Sequence, residues 1–573
     1  MQKNNPMRRL LFLFLVSTII FSCKENENAQ KTSPAAVWAD SVYQSLTPAQ
    51  RVAQLFVLRL SEKKGDSIIF HTAEVENFIH QYNIGAACLF QGGPEEQAAI
   101  INHFQSIAQT PMMFCIDAET GMGMRMYDSV MKFPDQLTMG AIIDTALIYK
   151  IGYAIGEQCK RMGIQVNYAP VVDINNNPAN PVINVRSFGE DKNKVALFGV
   201  TIMKGMQAAG IMACAKHFPG HGDVSVDSHK DLPVINKSMA QLDSLELIPF
   251  KAMIGAGVGS MMVAHLSIPA IDTATHLPTS LSYKNVTALL RDSLGFKGIT
   301  FTDALDMQGV AKYYPGAEGA VQSILAGNDM LCLPQDVPAS IDGILTALKN
   351  GKISEKDFES RVKKVLIAKY NLGLASWKPV PLQNLAIDLN KNVPAFRKEV
   401  AEKSLTVLRL DSNTIFPIHK KLKIAYIAIG DSAENTLGKL LKDSLHANTF
   451  YFNYTKDSLD AVRLLKYVNG KYDLVIIGLH GYAKYPANNF GISSSAINLA
   501  KAMQAQVSTP VLTMAFGNPY AIGNFCYAKN LVACYEDDSI FQTAAFNFLK
   551  GKFKAGGKLP VTVCPEFPFG FGL

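Results

Sequence analysis

The chain has 573 residues, nearly half of them apolar and 18% charged, which is the composition of an ordinary globular protein too long for a single core. Two domains are the default, with room for a third. Its net charge is +7, from 55 basic and 48 acidic residues, and no basic stripe interleaved with aromatics occurs, so nucleic acid is excluded as an expected partner.

The first 22 residues hold Lys3, Arg8 and Arg9 and no acid, so their loss leaves a net charge of +4. Arg8 and Arg9 precede the apolar run Leu10 to Phe21, which is too short to span a bilayer and has the length of a signal-peptide core. The run ends in Ile20-Phe21-Ser22-Cys23, which resembles a bacterial lipobox with Cys23 as the lipidated residue, and Lys24-Glu25 resembles a surface-export signal of lipoproteins. The expectation is a signal peptide over 1–22 and a polar tether over 23–38. The chain would then be held to the cell envelope by a lipid anchor, on the periplasmic or surface side of an outer membrane; it would be secreted if Cys23 is not lipidated.

From residue 39 to 376, short β-like runs alternate with longer helical ones. The predicted strands are Gln54–Arg59, Gly85–Phe90, Met112–Asp117, Gln165–Asp173, Ile211–His217, Gly259–His265, Ile299–Asp303 and Asp329–Leu333, with helices such as Ala146–Arg161 and Val195–Ala209 between them. Eight such units imply an α/β fold with parallel strands and crossover helices, a (β/α)8 TIM-type barrel. Asp117, Asp173, Lys216-His217, His265 and Asp303 all fall at or just after strand ends, the face where such barrels collect their chemistry.

A helix over Ser354–Tyr370 closes this domain at Asn371-Leu372-Gly373. Residues 377–395, punctuated by prolines and without clear period, read as an interdomain linker. Residues 396–573 read as an α/β sandwich of five or six parallel strands, with strands at Thr406–Leu410, Ile424–Ile429, Leu474–Leu479, Val511–Phe516 and Leu531–Tyr535. It carries no G-x-G-x-x-G or Walker A pattern, so no nucleotide site is expected. Eight cysteines follow Cys23 and none forms a C-x-x-C, so buried free thiols are expected rather than a disulfide framework or a zinc site.

The densest chemistry lies in 213-ACAKHFPGHGDVSVDSHKDLP-233, where three of the eleven histidines fall within thirteen residues. His217-x3-His221 has the spacing of a helical metal pair, but Pro219, Gly220 and Gly222 forbid a regular helix; a non-helical His217/His221/His229 site ranks well below the alternative, so no metal is expected. Asp227 stands two residues before His229. On an extended segment both would face one side, letting the carboxylate fix the imidazole for proton transfer. Asp303 ends an apolar strand and must be paired or solvated by a site, whereas Asp306 suits a helix N-cap.

Lys216-His-Phe-Pro-Gly-His-Gly-Asp223 with Asp227-Ser-His229 resembles the signature of family 3 glycoside hydrolases, in their β-N-acetylglucosaminidase branch. Asn175-Asn-Asn-Pro178, Asn180-Pro-Val-Ile-Asn-Val-Arg-Ser-Phe-Gly-Glu-Asp191 and Phe301-Thr-Asp-Ala-Leu-Asp-Met307 are similar to other barrel segments of that family. Phe516-Gly-Asn-Pro-Tyr520 and Gly557-Lys-Leu-Pro-Val561 look like its sandwich domain. The resemblance implies a retaining exo-β-N-acetylhexosaminidase acting on GlcNAc-containing glycans such as peptidoglycan fragments, with no cofactor. It makes Asp303 the nucleophile and His229 the acid/base, supported by Asp227. Asp117, Arg125, Arg186, Lys216 and His217 would grip the sugar, Arg186 through two-pronged hydrogen bonds to adjacent hydroxyls.

Two positions depart from that pattern. Asp117-Ala-Glu-Thr-Gly121 stands where single-domain members read D-Q-E-G-G-R, with Arg125 keeping its spacing, and Ala304 follows Asp303 where a second Asp is common. The alternatives are a β-glucosidase or β-xylosidase of the same family, a phosphorolytic variant, and an inactive glycan-binding lipoprotein. The Asp-Ser-His triplet favours the hexosaminidase over the first, and the intact Asp227, His229 and Asp303 argue against the last.

Overall fold

The computed structural model describes residues 33–228, 230–411, 417–418 and 421–573. The predicted signal peptide, Cys23, most of the tether and His229 lie outside the described residues.

All eight predicted barrel strands are present, seven of them shorter than the apolar runs suggested and β5 of equal length but shifted by one residue: β1 (Phe56–Arg59), β2 (Ala86–Leu89), β3 (Met113–Ile116), β4 (Val166–Asn167), β5 (Met212–Phe218), β6 (Ser260–Val263), β7 (Ile299–Thr302) and β8 (Leu331–Cys332). They pair in parallel in the order β8-β1-β2-β3-β4-β5-β6-β7, and a bridge between Phe301 and Met330 brings the two ends together. Most of these runs are buried along their whole length, as both faces of a barrel sheet are covered. An antiparallel hairpin, Ser61–Lys64 with Ser67–Phe70, is inserted directly after β1.

The crossover helices start where side chains can satisfy their free N–H groups. Asp144 accepts from Ala146 and Leu147 to start Thr145–Arg161, and Asp191 accepts from Lys194 to start Lys192–Ala208; each cap contributes about 1 kcal/mol. Helix Glu355–Asn371 is capped by Ser354 and stops before Gly373, whose φ of +83° suits the turn out of the helix. Among the described residues no helix is long and apolar enough to cross a membrane.

That last helix buries a cation under the barrel. Lys369 is fully buried, donates to Gln54 Oε1 at 2.6 Å, and has its pKa pushed down to about 7 by burial. In the unfolded chain the same ammonium stays charged up to about 10.5, so wild-type stability climbs as pH rises from 7 through that window. Lys369→Met removes the desolvation cost and is expected to raise stability by about 1–3 kcal/mol at pH 6.5. The gain should narrow steadily towards pH 10, read as the barrel's guanidinium midpoint at each pH; a pH-independent gain would contradict this account.

The second domain is a six-stranded sheet. Its strands are β9 (Thr406–Arg409), β10 (Ile424–Ile429), β11 (Asn448–Phe452), β12 (Leu474–Leu479), β13 (Val511–Ala515) and β14 (Leu531–Ala533), in the order β9-β14-β13-β12-β10-β11. Two features differ from the sequence expectation. Strand β9 runs antiparallel to β14, so the sheet is mixed. Strand β11 was not anticipated, because it is a half-exposed edge beginning Asn448-Thr449 and lacks the buried run of its neighbours.

Residues 377–395 are no free tether. They contain helix Leu385–Asn390 and the start of helix Val393–Ser404, so the expected boundary at 395/396 falls inside a helix. Arg161 pins the segment through Asp388, Pro381 O and Gln383 O at 2.7–2.9 Å, while Leu385 and Leu389 are buried against the barrel. The thiol expectation is corrected in part. Cys88, Cys115, Cys159, Cys214, Cys332 and Cys534 are free and buried, but Cys526 and Cys564 form a disulfide across 38 residues.

The two segments that resemble the family's sandwich domain are where that domain meets the barrel. Asn518 donates to Asn184 Oδ1 at 2.6 Å, and Pro560 O accepts from Glu190 N at 3.1 Å. Gly189, at φ +138°, allows this approach, because a Cβ there would lie 2.2 Å from Pro560 O. Lys484 adds an ion pair to Asp135 at 2.8 Å.

Candidate active site

The C-terminal ends of the barrel strands surround a cavity of about 570 Å³. Six of the eight residues expected to catalyse or to grip the sugar line it: Asp117, Arg125, Arg186, Lys216, His217 and Asp303. Tyr485 enters it from the second domain.

Its floor is a lattice of alternating charges. Lys216, at the end of β5, is almost wholly buried and reaches Asp117 Oδ1 at 2.5 Å and Glu119 Oε1 at 2.7 Å. Arg125 closes on Asp117 from the other side, through the carbonyl and Oδ2, both at 2.7 Å. Arg186 clasps Glu119 with two nitrogens, at 2.7 and 3.0 Å. Its planar fork is therefore taken by a carboxylate and not left open to adjacent hydroxyls as expected; a further N–H reaches His217 Nε2 at 3.2 Å. Burial alone would raise the Glu119 carboxyl, but Arg186 and Lys216 outweigh it and hold the group well below the usual carboxylate range. Lys216 in turn keeps its proton: burial opposes the charge, and Asp117 and Glu119 more than restore it.

Glu119 is the functional residue that sequence reasoning missed. It sits three residues beyond the end of β3, in the loop that departs from the single-domain pattern, and its partners Arg186 and Lys216 are far away in sequence. The signal was a second carboxylate in Asp117-Ala-Glu-Thr-Gly121.

Two residues expected at strand ends act from behind the cavity, Asp173 from a loop six residues past β4 and His265 two residues past β6. Asp173 is fully buried and accepts from His217 Nδ1 at 2.7 Å and from the His221 backbone N–H at 2.7 Å. A guanidinium can only donate, so Arg186 leaves Nε2 of His217 as acceptor and Nδ1 as the protonated nitrogen facing Asp173. His265 is hydrogen-bonded to Ser280 Oγ at 2.7 Å and to the carbonyl of Ala304 at 2.9 Å, bracing the backbone beside Asp303. The carboxylate of Asp303 accepts from Ala304 N at 2.8 Å, and its own N–H bonds Val263 O across β6.

His217 and His221 do not converge as a ligand pair. Their rings lie 5.7 Å apart; His217 turns to Asp173, and His221 Nε2 to Ser228 Oγ at 3.1 Å. Burial and the neighbouring His217 push the His221 pKa down to about 4, so it stays neutral near pH 7.

Two local expectations are corrected. The carbonyl of Asp227 accepts from the N–H groups of Lys230 and Asp231 at 2.9 and 3.2 Å, so this stretch turns and is not extended. Asp227 is half-buried and its neighbour Ser228 lines the cavity; His229 lies outside the described residues. Asp306 is no N-cap: Met307 holds that position without a side-chain bond, and Asp306 pairs with Arg59 at 2.7 Å on the cavity wall.

Residues 49–368, the whole barrel to its closing helix, match the glycosyl hydrolase family 3 N-terminal domain. The chain belongs to glycosyl hydrolase family 3. Among its curated relatives in that family, beta-hexosaminidase A of Pseudoalteromonas piscicida is 29% identical over 555 residues, covering 86% of this chain and 91% of that protein. A beta-N-acetylglucosaminidase/beta-glucosidase of Cellulomonas fimi is 25% identical over 558 residues, covering 91% and 95%. The solved family 3 beta-N-acetylglucosaminidase from Paenibacillus sp. str. FPU-7 superposes with a TM-score of 0.74 at 28% identity, over 91% of this chain and 99% of that one. The likeness to these family 3 proteins thus runs through both domains.

Proposed function

We propose that the chain is a retaining exo-β-N-acetylhexosaminidase that releases terminal GlcNAc from glycans, peptidoglycan fragments among them. The observation that carries this reading is the placement of Asp303 in the same cavity as the Asp117–Lys216–Glu119–Arg186 lattice, in a chain similar along nearly its whole length to β-N-acetylglucosaminidases. Asp303 attacks the anomeric carbon while His229, supported by Asp227, gives its proton to the leaving oxygen, forming a covalent glycosyl-enzyme. His229, now neutral, takes a proton from water, which displaces Asp303. Asp117, Arg125, Arg186, Lys216 and His217 hold the sugar, and Glu119 keeps the cations among them in place. The signal-like segment over 1–22 and Cys23 support a lipid-anchored protein of the cell envelope.

A second reading, β-glucosidase activity in the same site, is favoured by the double activity in the name of the Cellulomonas fimi relative. The test is paired turnover of 4-nitrophenyl β-GlcNAc and β-glucoside, with and without inorganic phosphate. The proposal expects the GlcNAc glycoside to be cleaved faster, by about tenfold or more, a floor well below the discrimination that sites built to hydrogen-bond a substrate group achieve. Preference for glucoside selects the second reading, and sugar 1-phosphate as product replaces hydrolysis by phosphorolysis. No turnover of either glycoside overturns both.

A further inference from the structure

The loop that carries Asp227 and Ser228 is bound to the helix that follows Asp303. Asp231, three residues beyond Ser228, receives Lys312 Nζ on both carboxylate oxygens at 3.0 and 3.1 Å and the Tyr313 hydroxyl at 3.1 Å. The ring of Tyr313 is itself stacked on His276, centroids 4.4 Å apart and planes nearly parallel. Helix Gln308–Ala311, which runs into Lys312 and Tyr313, begins five residues after Asp303. Its Gly309 lies against the loop: the Gly309 N–H bonds Ser228 O at 3.3 Å, and a Cβ there would stand 3.2 Å from Ser228 O and 3.5 Å from Asp231 O. From inside the barrel, His221 Nε2 holds Ser228 Oγ at 3.1 Å.

We propose that Asp231, through Lys312 and Tyr313, is a positioning residue that fixes the proton-transfer loop to the nucleophile's own helix. The inference rests on the reading of His229 and Asp227 as the acid/base pair. Two catalytic groups from different strands must keep a fixed separation through two chemical steps, and an error near 1 Å is costly. Independent barrel loops would each contribute their own displacement. Here the loop after β5 and the segment after β7 share one support, and Gly309 makes the approach possible.

The test separates positioning of the acid from general damage by varying the leaving group. An alkyl β-GlcNAc glycoside needs its oxygen protonated, whereas a 2,4-dinitrophenyl β-GlcNAc glycoside leaves without help, and kcat/KM for each reports the first step. Asp231→Ala is expected to lower kcat/KM on the alkyl glycoside by about tenfold or more while changing that on the dinitrophenyl glycoside less than about twofold. Lys312→Met should reproduce the pattern from the other side of the contact, and Lys312→Arg should restore the alkyl rate. Equal losses on both glycosides, or none on either, overturn the proposal. His229→Ala, measured on the same pair, separates the two claims. If it shows no leaving-group dependence, the acid/base reading falls and the proposal with it. If it shows the dependence and Asp231→Ala does not, the proposal alone falls.

Discussion

Asp303→Ala is expected to lower hydrolysis of 4-nitrophenyl β-GlcNAc by at least about 10³-fold, since loss of a covalent nucleophile removes the path and not merely a contact. The substitution leaves the surrounding backbone supported: the N–H at 303 still bonds Val263 O, and His265 still holds the Ala304 carbonyl. Thermal unfolding of the variant should therefore match wild type closely while turnover disappears. Added azide, small enough to occupy the space of the missing carboxylate, should recover part of the rate and give the glycosyl azide of opposite anomeric configuration to the substrate. A variant that keeps full activity would remove Asp303 from the mechanism.

Glu119→Gln is the second large effect, and it falls on stability and binding together. The carboxylate lies between Lys216 and Arg186, and taking one charge from a buried network leaves the remaining ones uncompensated, at a cost of about 3–5 kcal/mol. Lys216 would keep Asp117 but lose half of its anionic surroundings, and the Arg186 fork would lose its two-point partner. We expect kcat/KM to fall by about 10²-fold, chiefly through KM, because the grips move while Asp303 does not. The sign with pH is fixed by the depressed carboxyl. Its stabilisation is complete above the ordinary value of 4.5 and is lost as pH falls towards the lower folded value. The gap between wild type and Glu119→Gln, read as guanidinium midpoints, should thus be constant from pH 8 to 6 and close only below about pH 4.5. A gap already narrowing at pH 6 would mean that Glu119 is not held ionised by its neighbours.

The barrel was legible because parallel strands covered on both faces must be continuous apolar runs, and eight of them stood out between amphipathic helices. The same logic located Asp117, Lys216, His217 and Asp303, since a charged group ending such a run has few other places to go. What escaped notice depends on contacts made at a distance. Glu119 matters through Arg186 and Lys216, neither predictable from its own neighbours. Asp306 was assigned to a local cap, yet it pairs with Arg59 across 247 residues. Edge strand β11 is too exposed to carry a buried pattern, and Cys526 with Cys564 shows no spacing that betrays a bond. The fork of Arg186 suits any planar anion; only the folded lattice says which one it holds.

One wall of the cavity comes from far along the chain. Tyr485 belongs to the second domain, whose contacts with the barrel join Asp135 to Lys484 across 349 residues, Asn184 to Asn518 across 334 and Glu190 to Thr562 across 372. A polypeptide leaving the ribosome folds its N-terminal domain first. Every charged grip and Asp303 thus precede Tyr485, the residue that supplies the last side of the mouth, in the order of synthesis. The cavity is therefore shared between two separately encoded halves, and the contacts at Lys484, Asn518 and Thr562 hold the half that carries Tyr485 against the half that carries Asp303.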